Sequence, residues 1–390
     1  MVKLVLLSIL AAAFFSSTFI LNEFMSVTGG HWFWSASFRY VFMWLILTAI
    51  ITMQHGFGRI KGLTTIFYQH WRFWCLTGSI GFGVFYTGIC YAADHVAGWV
   101  VAATFMSIVV TSLLVLLAFG QRFDKKFIIY ALLVFIGVIL VNVSEGLHAA
   151  GSTQITATPM ATVLIFGALP ALIAAFSYPI GNQLVWQASY NAKKRHAKNH
   201  ASEANTSDRY KADESLSQPL MNETLMLTSP DIHETTATNP NLIAINADPP
   251  HSQPSLQYEL QKLIARIPSI ETDLLHNAFN KVWLMTLGSL PFWLILSFIV
   301  RPNMPSASQL FNTFLVALLA GVAATSIFLY ARERAQSSSE LAGIDSTQAS
   351  EVIFALIGGI LLLDSALPSL MGLFGIGFIM LGIILFAKNG

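Results

Sequence analysis

The sequence predicts an all-α membrane protein: ten transmembrane helices in two inverted five-helix repeats, with a long disordered cytoplasmic insertion. Three observations lead there. Of 390 residues, 55% are hydrophobic and 11% charged, with a mean hydropathy of +0.63, whereas an ordinary globular domain is about 25% charged. Apolar runs long enough to cross a hydrocarbon core of roughly 30 Å recur along the chain. Parts of the first half also reappear in the second at fixed offsets.

The apolar runs fall at about 3–24, 32–53, 73–93, 97–119, 126–143, 161–189, 279–299, 308–331, 341–363 and 369–387. They lack the short alternation of a membrane barrel, and in lipid a backbone that satisfies its own hydrogen bonds favours helices. The first run opens like a secretory leader, Lys3 followed by Leu4 to Ala13. Its apolar character continues to Leu21, and the segment has a counterpart later in the chain, so it reads as a span. With the N-terminus inside and the long central loop left out beyond Arg195, the inward connections hold fourteen Lys and Arg, among them Arg59, Lys61, Arg72, Arg122, Arg332 and Arg334, and the outward ones only Arg301. The positive-inside rule then predicts a multi-pass protein of the cell (inner) membrane with both termini cytoplasmic.

Ser17 to Asn22 (STFILN) matches Ser177 to Asn182 (SYPIGN) at an offset of 160, and Gly137 to Val141 (GVILV) matches Gly382 to Phe386 (GIILF) at 245. Ala97-Gly98 matches Ala342-Gly343 at the same 245. The offsets differ by 85 residues, the size of the hydrophilic stretch in the second half. This divides the chain into a first repeat (1–145), a second repeat (160–189 plus 277–390) and an insertion (190–276). Five helices per half, an odd number, makes the halves inverted, an arrangement of many secondary transporters. The insertion is rich in Asn, Ser, Thr and Pro and reads as disordered. Leu256, Leu260, Leu263, Ile264 and Ile267 recur in it at helical spacing and predict a short amphipathic helix.

An acid at the middle of a span costs roughly 2.5 to 3.5 kcal/mol even on lenient insertion scales, and such residues usually face a bundle interior or a water-filled path. Glu351 sits there in the ninth span, with Gln348 and Thr347 three and four residues before it and Ser350 adjacent. On a helix they share a face, forming a protonatable carboxylate with polar neighbours, a substrate or proton site. A structural acid bridging helices is the plainer reading. At the 245 offset its counterpart is Met106, so the symmetry breaks at this position. Arg39, within the second span, is expected to pair with Glu23 as a structural or gate pair. Asn22 and Asn182, at equivalent repeat positions, could bond across the pseudo-two-fold axis. Together with Tyr86, Trp99, Phe105, Met106 and Tyr178 they are the residues expected to line a cavity, whose aromatics suit amphipathic or cationic organic ligands.

Cys75 and Cys90 stand fifteen residues apart on one span, roughly 22 Å if helical, too far to bridge. No metal site, cofactor motif, hydrolase elbow, phosphate loop or channel filter is apparent, and no nucleic-acid partner is expected. The chain therefore does not read as an enzyme.

LAGIDSTQASEVIFALIGGILLL, residues 341–363, together with AGWVVAATF at 97–105, resembles the multidrug resistance efflux branch of the drug/metabolite transporter superfamily (EamA-like). The resemblance covers about 300 residues, all but the insertion, and its most specific part is Gln348, Ser350, Glu351, Val352 and Phe354. It implies ten helices in two inverted repeats, and secondary transport of a small organic solute or drug by alternating access. With Glu351 as the site, proton-coupled efflux is the leading expectation, its partners being a small-molecule substrate, protons and membrane lipid. Two alternatives stay open: a scaffold acting through the insertion, and a phosphorylated-metabolite exchanger. The second is disfavoured because Arg39 alone offers a basic charge within the membrane, where phosphate recognition wants a cluster.

Overall fold

A computed structural model describes residues 2–120, 125–151, 160–203, 262–334 and 343–388. Among them ten helices are long and apolar enough to cross a membrane. They are α1 (Val2–Val27), α2 (Trp32–His55), α3 (Trp71–Ala93), α4 (Gly98–Ala118), α5 (Lys125–Leu147), α6 (Met160–Ala192), α7 (Ala278–Val300), α8 (Ala307–Arg332), α9 (Gly343–Leu363) and α10 (Leu370–Lys388). The protein is a multi-pass membrane protein, with no strand among the described residues. A further helix, Phe57–Gln69, joins α2 to α3 without spanning.

Local chemistry starts and stops these helices. The turn before α2 passes through Gly29 at φ +83°, where a side chain would be strained, and His31 Nδ1 then accepts from the Phe33 N–H at 3.1 Å. Asn277 Oδ1 caps α7, accepting from the N–H groups of Phe279 (2.9 Å) and Asn280 (3.4 Å). Ser306 Oγ caps α8 through the Gln309 N–H at 3.1 Å.

Packing repeats between the halves. α1 packs on α8 and α9 as α6 packs on α3 and α4; α2 packs on α8 as α7 packs on α3; α2 meets α7, and α5 meets α10. Exchanging each helix for the one five positions on leaves these contacts unchanged, so the two sets of five spans pack equivalently. Near their middles α3 and α8 both carry π-helical stretches, Ser79–Val84 and Ala317–Ala324. α4 and α9 both leave regular α-geometry, at Met106-Ser107 and Thr347–Ala349.

α5 and α10 pair at one edge, where a Cβ on Gly137 would stand 2.6 Å from the Gly375 carbonyl oxygen. Only glycine permits that approach. Gly377, by contrast, faces open space.

The insertion begins later and ends earlier than the sequence suggests. The helix holding α6 runs on to Glu203, and residues 267–275 pack onto the same end of the bundle. Ile270 and Leu275 are buried, the Ile270 N–H donates to the Ala188 carbonyl at 3.4 Å, and Asn191 Nδ2 donates to the Ile267 carbonyl at 3.2 Å. Both flanks of the range 190–276 are therefore structured, because apolar Ile267, Ile270 and Leu275 find a bundle face to cover. The expected disorder of the rest, and Leu256 and Leu260 of the expected amphipathic helix, lie outside the described residues; Leu263 and Ile264 lie in a single helical turn.

Candidate functional site

Between the halves lies a cavity of about 120 Å³, lined from eight of the ten spans and leaving out α5 and α10. α4 and α6 contribute Phe105 and Tyr178, which with Phe19 of α1 and Phe85 of α3 form a run of touching rings. Phe19 to Phe105, Phe105 to Phe85 and Phe85 to Tyr178 have centroids 6.4, 5.4 and 4.9 Å apart. Tyr40 stacks on Phe82 at 5.0 Å, closing another side.

Five buried polar side chains interrupt this aromatic lining, Thr18, Arg39, Thr325, Gln348 and Glu351, and three of them carry a charge or an unfilled polar group. Glu351 lies at mid-depth in α9; no hydrogen bond or ion pair to its carboxylate occurs among the described residues. Gln348, one turn before it, has a buried Nε2 without an acceptor. Arg39 of α2 donates from Nη1 to Thr18 Oγ1 at 3.1 Å and lies over the Tyr86 ring, 4.1 Å from its centroid, while its Nε has no acceptor.

Of the residues singled out in the sequence, Glu351, Gln348, Phe105, Met106 and Tyr178 line this cavity, and so does Arg39. Thr347 and Ser350 do not; their hydroxyls donate to backbone carbonyls of their own helix, Ile344 at 2.7 Å and Thr347 at 2.5 Å. The reason is local geometry. Thr347–Ala349 is 3₁₀-helical, and at three residues per turn positions three apart eclipse while those four apart swing away. Gln348 thus stays in line with Glu351 and Thr347 turns off the face. Trp99 and Tyr86 are fully buried in packing, Tyr86 serving as the platform beneath Arg39.

Two pairings expected from the sequence do not form. Asn22 donates from Nδ2 to Tyr86 Oη at 3.1 Å rather than to Asn182, because its neighbour in the bundle is α3. Glu23 does not pair with Arg39. Its Oε2 accepts from the Gly98 N–H at 2.7 Å and its Oε1 from Ser365 Oγ at 3.2 Å. The carboxylate thus sits on the exposed amides at the N-terminus of α4, where the helix dipole favours an anion. Hydropathy gives no sign of that pairing. An ion pair does form between spans: Arg332 Nη2 of α8 lies 3.4 Å from Asp345 Oδ2 of α9, both buried. Asp345 went unnoticed in the sequence, because an acid two residues into a span reads as part of the connecting segment.

This geometry can be compared with known proteins. The family described as "EmrE: Putative multidrug resistance efflux transporter" matches the chain over residues 2–389. The chain belongs to this family. It is similar to "Uncharacterized protein YjlA" of Bacillus subtilis (strain 168), 27% identical over 98% of this chain and 94% of that protein. It is also similar to an "Uncharacterized 42.1 kDa protein in intracellular alkaline protease 3'region" of Shouchella clausii, 34% identical over 46% of each chain. Membership of an efflux-transporter family points to small-molecule transport by this ten-span bundle.

Proposed function

We propose that this protein is a secondary active transporter that moves a small organic solute across the cell membrane by alternating access. Glu351 exchanges the solute for protons, and both termini are cytoplasmic. One observation carries the reading: a carboxylate with no internal partner faces a cavity between two packing-equivalent halves. Such a group is costly in hydrocarbon, and the cost falls when a proton or a cationic group of a solute neutralises it. Proton and solute then compete for one site, and competition couples their movements in opposite directions.

The backbone offers the motion. In the π-helical stretches of α3 and α8 and the breaks of α4 and α9, hydrogen bonding already departs from the regular ladder, and bending concentrates at such points. All four helices line the cavity.

The test is solute-driven proton movement in proteoliposomes, read with a trapped pH dye over a panel of small organic solutes. Glu351→Gln should abolish it at equal reconstitution, and undiminished movement in that variant would remove Glu351 from the mechanism. Deleting residues 204–261 should leave the movement intact, since the cavity residues lie elsewhere. A lost phenotype with the bundle intact would favour a scaffold. An exchanger of phosphorylated metabolites remains disfavoured, because Arg39 is the sole basic residue among the described residues that line the cavity.

A further inference from the structure

The cavity presents one charge of each sign. Arg39 is the sole cation and Glu351 the sole acid among its described lining residues, and they come from different halves of the chain. No ion pair within 4.0 Å joins them. Each is nine-tenths buried or more, with exposures of 8% and 9%. Each also keeps polar valence that the protein does not fill. Arg39 has a hydroxyl and an aromatic face for company but no carboxylate, and its Nε lacks an acceptor. Glu351 has no donor, and the neighbouring Gln348 Nε2 lacks an acceptor.

Buried charges are ordinarily compensated, since an isolated one in a low-dielectric interior is expensive. Here the protein has separated two opposite charges across a space and paired neither. A lone organic cation would satisfy Glu351 but sit in the field of Arg39, and a lone anion meets the reverse problem. A solute carrying both charges meets neither.

We propose that the cavity selects a small amphoteric solute, its anionic group on Arg39 and its cationic group on Glu351, with its apolar body against the rings of Phe85, Phe105 and Tyr178. The inference rests on the transport reading of Glu351 above and adds the substrate class. Size follows from volume: an apolar cavity of roughly 150 Å³ holds the six heavy atoms of a benzene, so about 120 Å³ suits a solute of roughly five to six heavy atoms, or slightly more where the cavity widens on binding. In this scheme Arg39 is the specificity determinant, and Glu351 is shared between the solute's cation and the proton.

A matched four-carbon series tests the proposal on the purified full-length protein by calorimetric titration: butylamine, butanoate, 2-aminobutanoate and 4-aminobutanoate. At least one of the two amphoteric members should bind tenfold or more tightly than either singly charged one. Arg39→Gln should erase the advantage over butylamine, and Glu351→Gln the advantage over butanoate, while Arg39→Lys should retain part of the first. Butylamine binding as tightly as both amphoteric members would overturn the proposal and leave a plain cation site. Binding of none of the four overturns it as well. Proton movement that depends on Glu351 but is driven equally by singly charged amines would sink the amphoteric class and leave the transport reading standing.

Discussion

Glu23 and Arg39 are the two ionisable groups that a reading by depth alone pairs, and the structure keeps them apart, so their energetic coupling should be close to zero. In Glu23→Ala, a bond of 2.7 Å to the Gly98 N–H and one of 3.2 Å to Ser365 Oγ are lost. A hydrogen bond to a charged group contributes about 1.5 to 3 kcal/mol in soluble proteins, and bonds between membrane helices average about 0.6. The Gly98 amide is also left without an acceptor inside the bundle. A total loss of about 3 kcal/mol is the expectation. Glu23→Gln keeps an acceptor for Gly98 and a donor or acceptor for Ser365, and should cost about 1 kcal/mol. Arg39→Ala removes the bond to Thr18 and the stacking on Tyr86, but strands no carboxylate. Equilibrium unfolding of the two single variants and the double variant in mixed micelles closes the cycle. The two losses should add to within about 0.5 kcal/mol, as for sites with no shared partner. A double variant that recovers 2 kcal/mol or more of the summed loss would show that the two groups are ion-paired, and would refute this account of α1 and α2.

Three further outcomes follow from the same geometry. Glu351→Gln should leave unfolding stability within about 1 kcal/mol of the parent, because its carboxylate makes no internal bond; a loss above 2 kcal/mol in the micelle assay would give it a structural role. Gly137→Leu should cost about 1 to 3 kcal/mol by overpacking the α5–α10 contact, whereas Gly377→Ala, facing open space, should be neutral in the same measurement. An epitope tag after Pro230 should be shielded from antibody in intact cells and accessible after permeabilisation, and labelling of intact cells would overturn the proposed orientation.

Span positions were legible in the sequence because bilayer thickness sets helix length whatever the tertiary packing. The runs at 98–118 and 278–300 lie within two residues of those expected at 97–119 and 279–299. Rotation of each helix about its axis was not legible. Most spans here are apolar on every face, and an amphipathic stripe is what gives a soluble helix its direction. Depth therefore placed Arg39 and Glu23 together, while azimuth points one at Thr18 and Tyr86 and the other at the start of α4. Thr347 was wrongly placed on the cavity face for a related reason: a short 3₁₀ stretch changes the angle per residue, and nothing in TQASE announces it. Glu351 could be placed at the cavity from the sequence because its signal does not depend on azimuth, since a carboxylate at mid-depth has few tolerable surroundings.

The two halves share the irregularities of their cavity-lining third and fourth helices and not their chemistry. α3 and α8 each carry a π-helical stretch, and α4 and α9 each break near the middle, yet Glu351 has Met106 for its counterpart and both line the same cavity. Devices that permit bending gain from duplication, because an alternating transporter must bend both halves to open both faces in turn. A charged site does not gain: a second carboxylate at position 106 would repel the first across the same small space and double the charge to be neutralised. Met106 provides instead a flexible, polarizable side chain that conforms to an apolar body. On the proposed reading, the asymmetry is what a single-solute site between two equivalent halves requires. Met106→Glu puts this to the test. If two acids share the space, that variant should bind the proton or the solute differently from the parent while keeping its helices, measured as a shifted pH dependence of solute-driven proton movement. An unchanged profile would mean that the two positions do not sense each other.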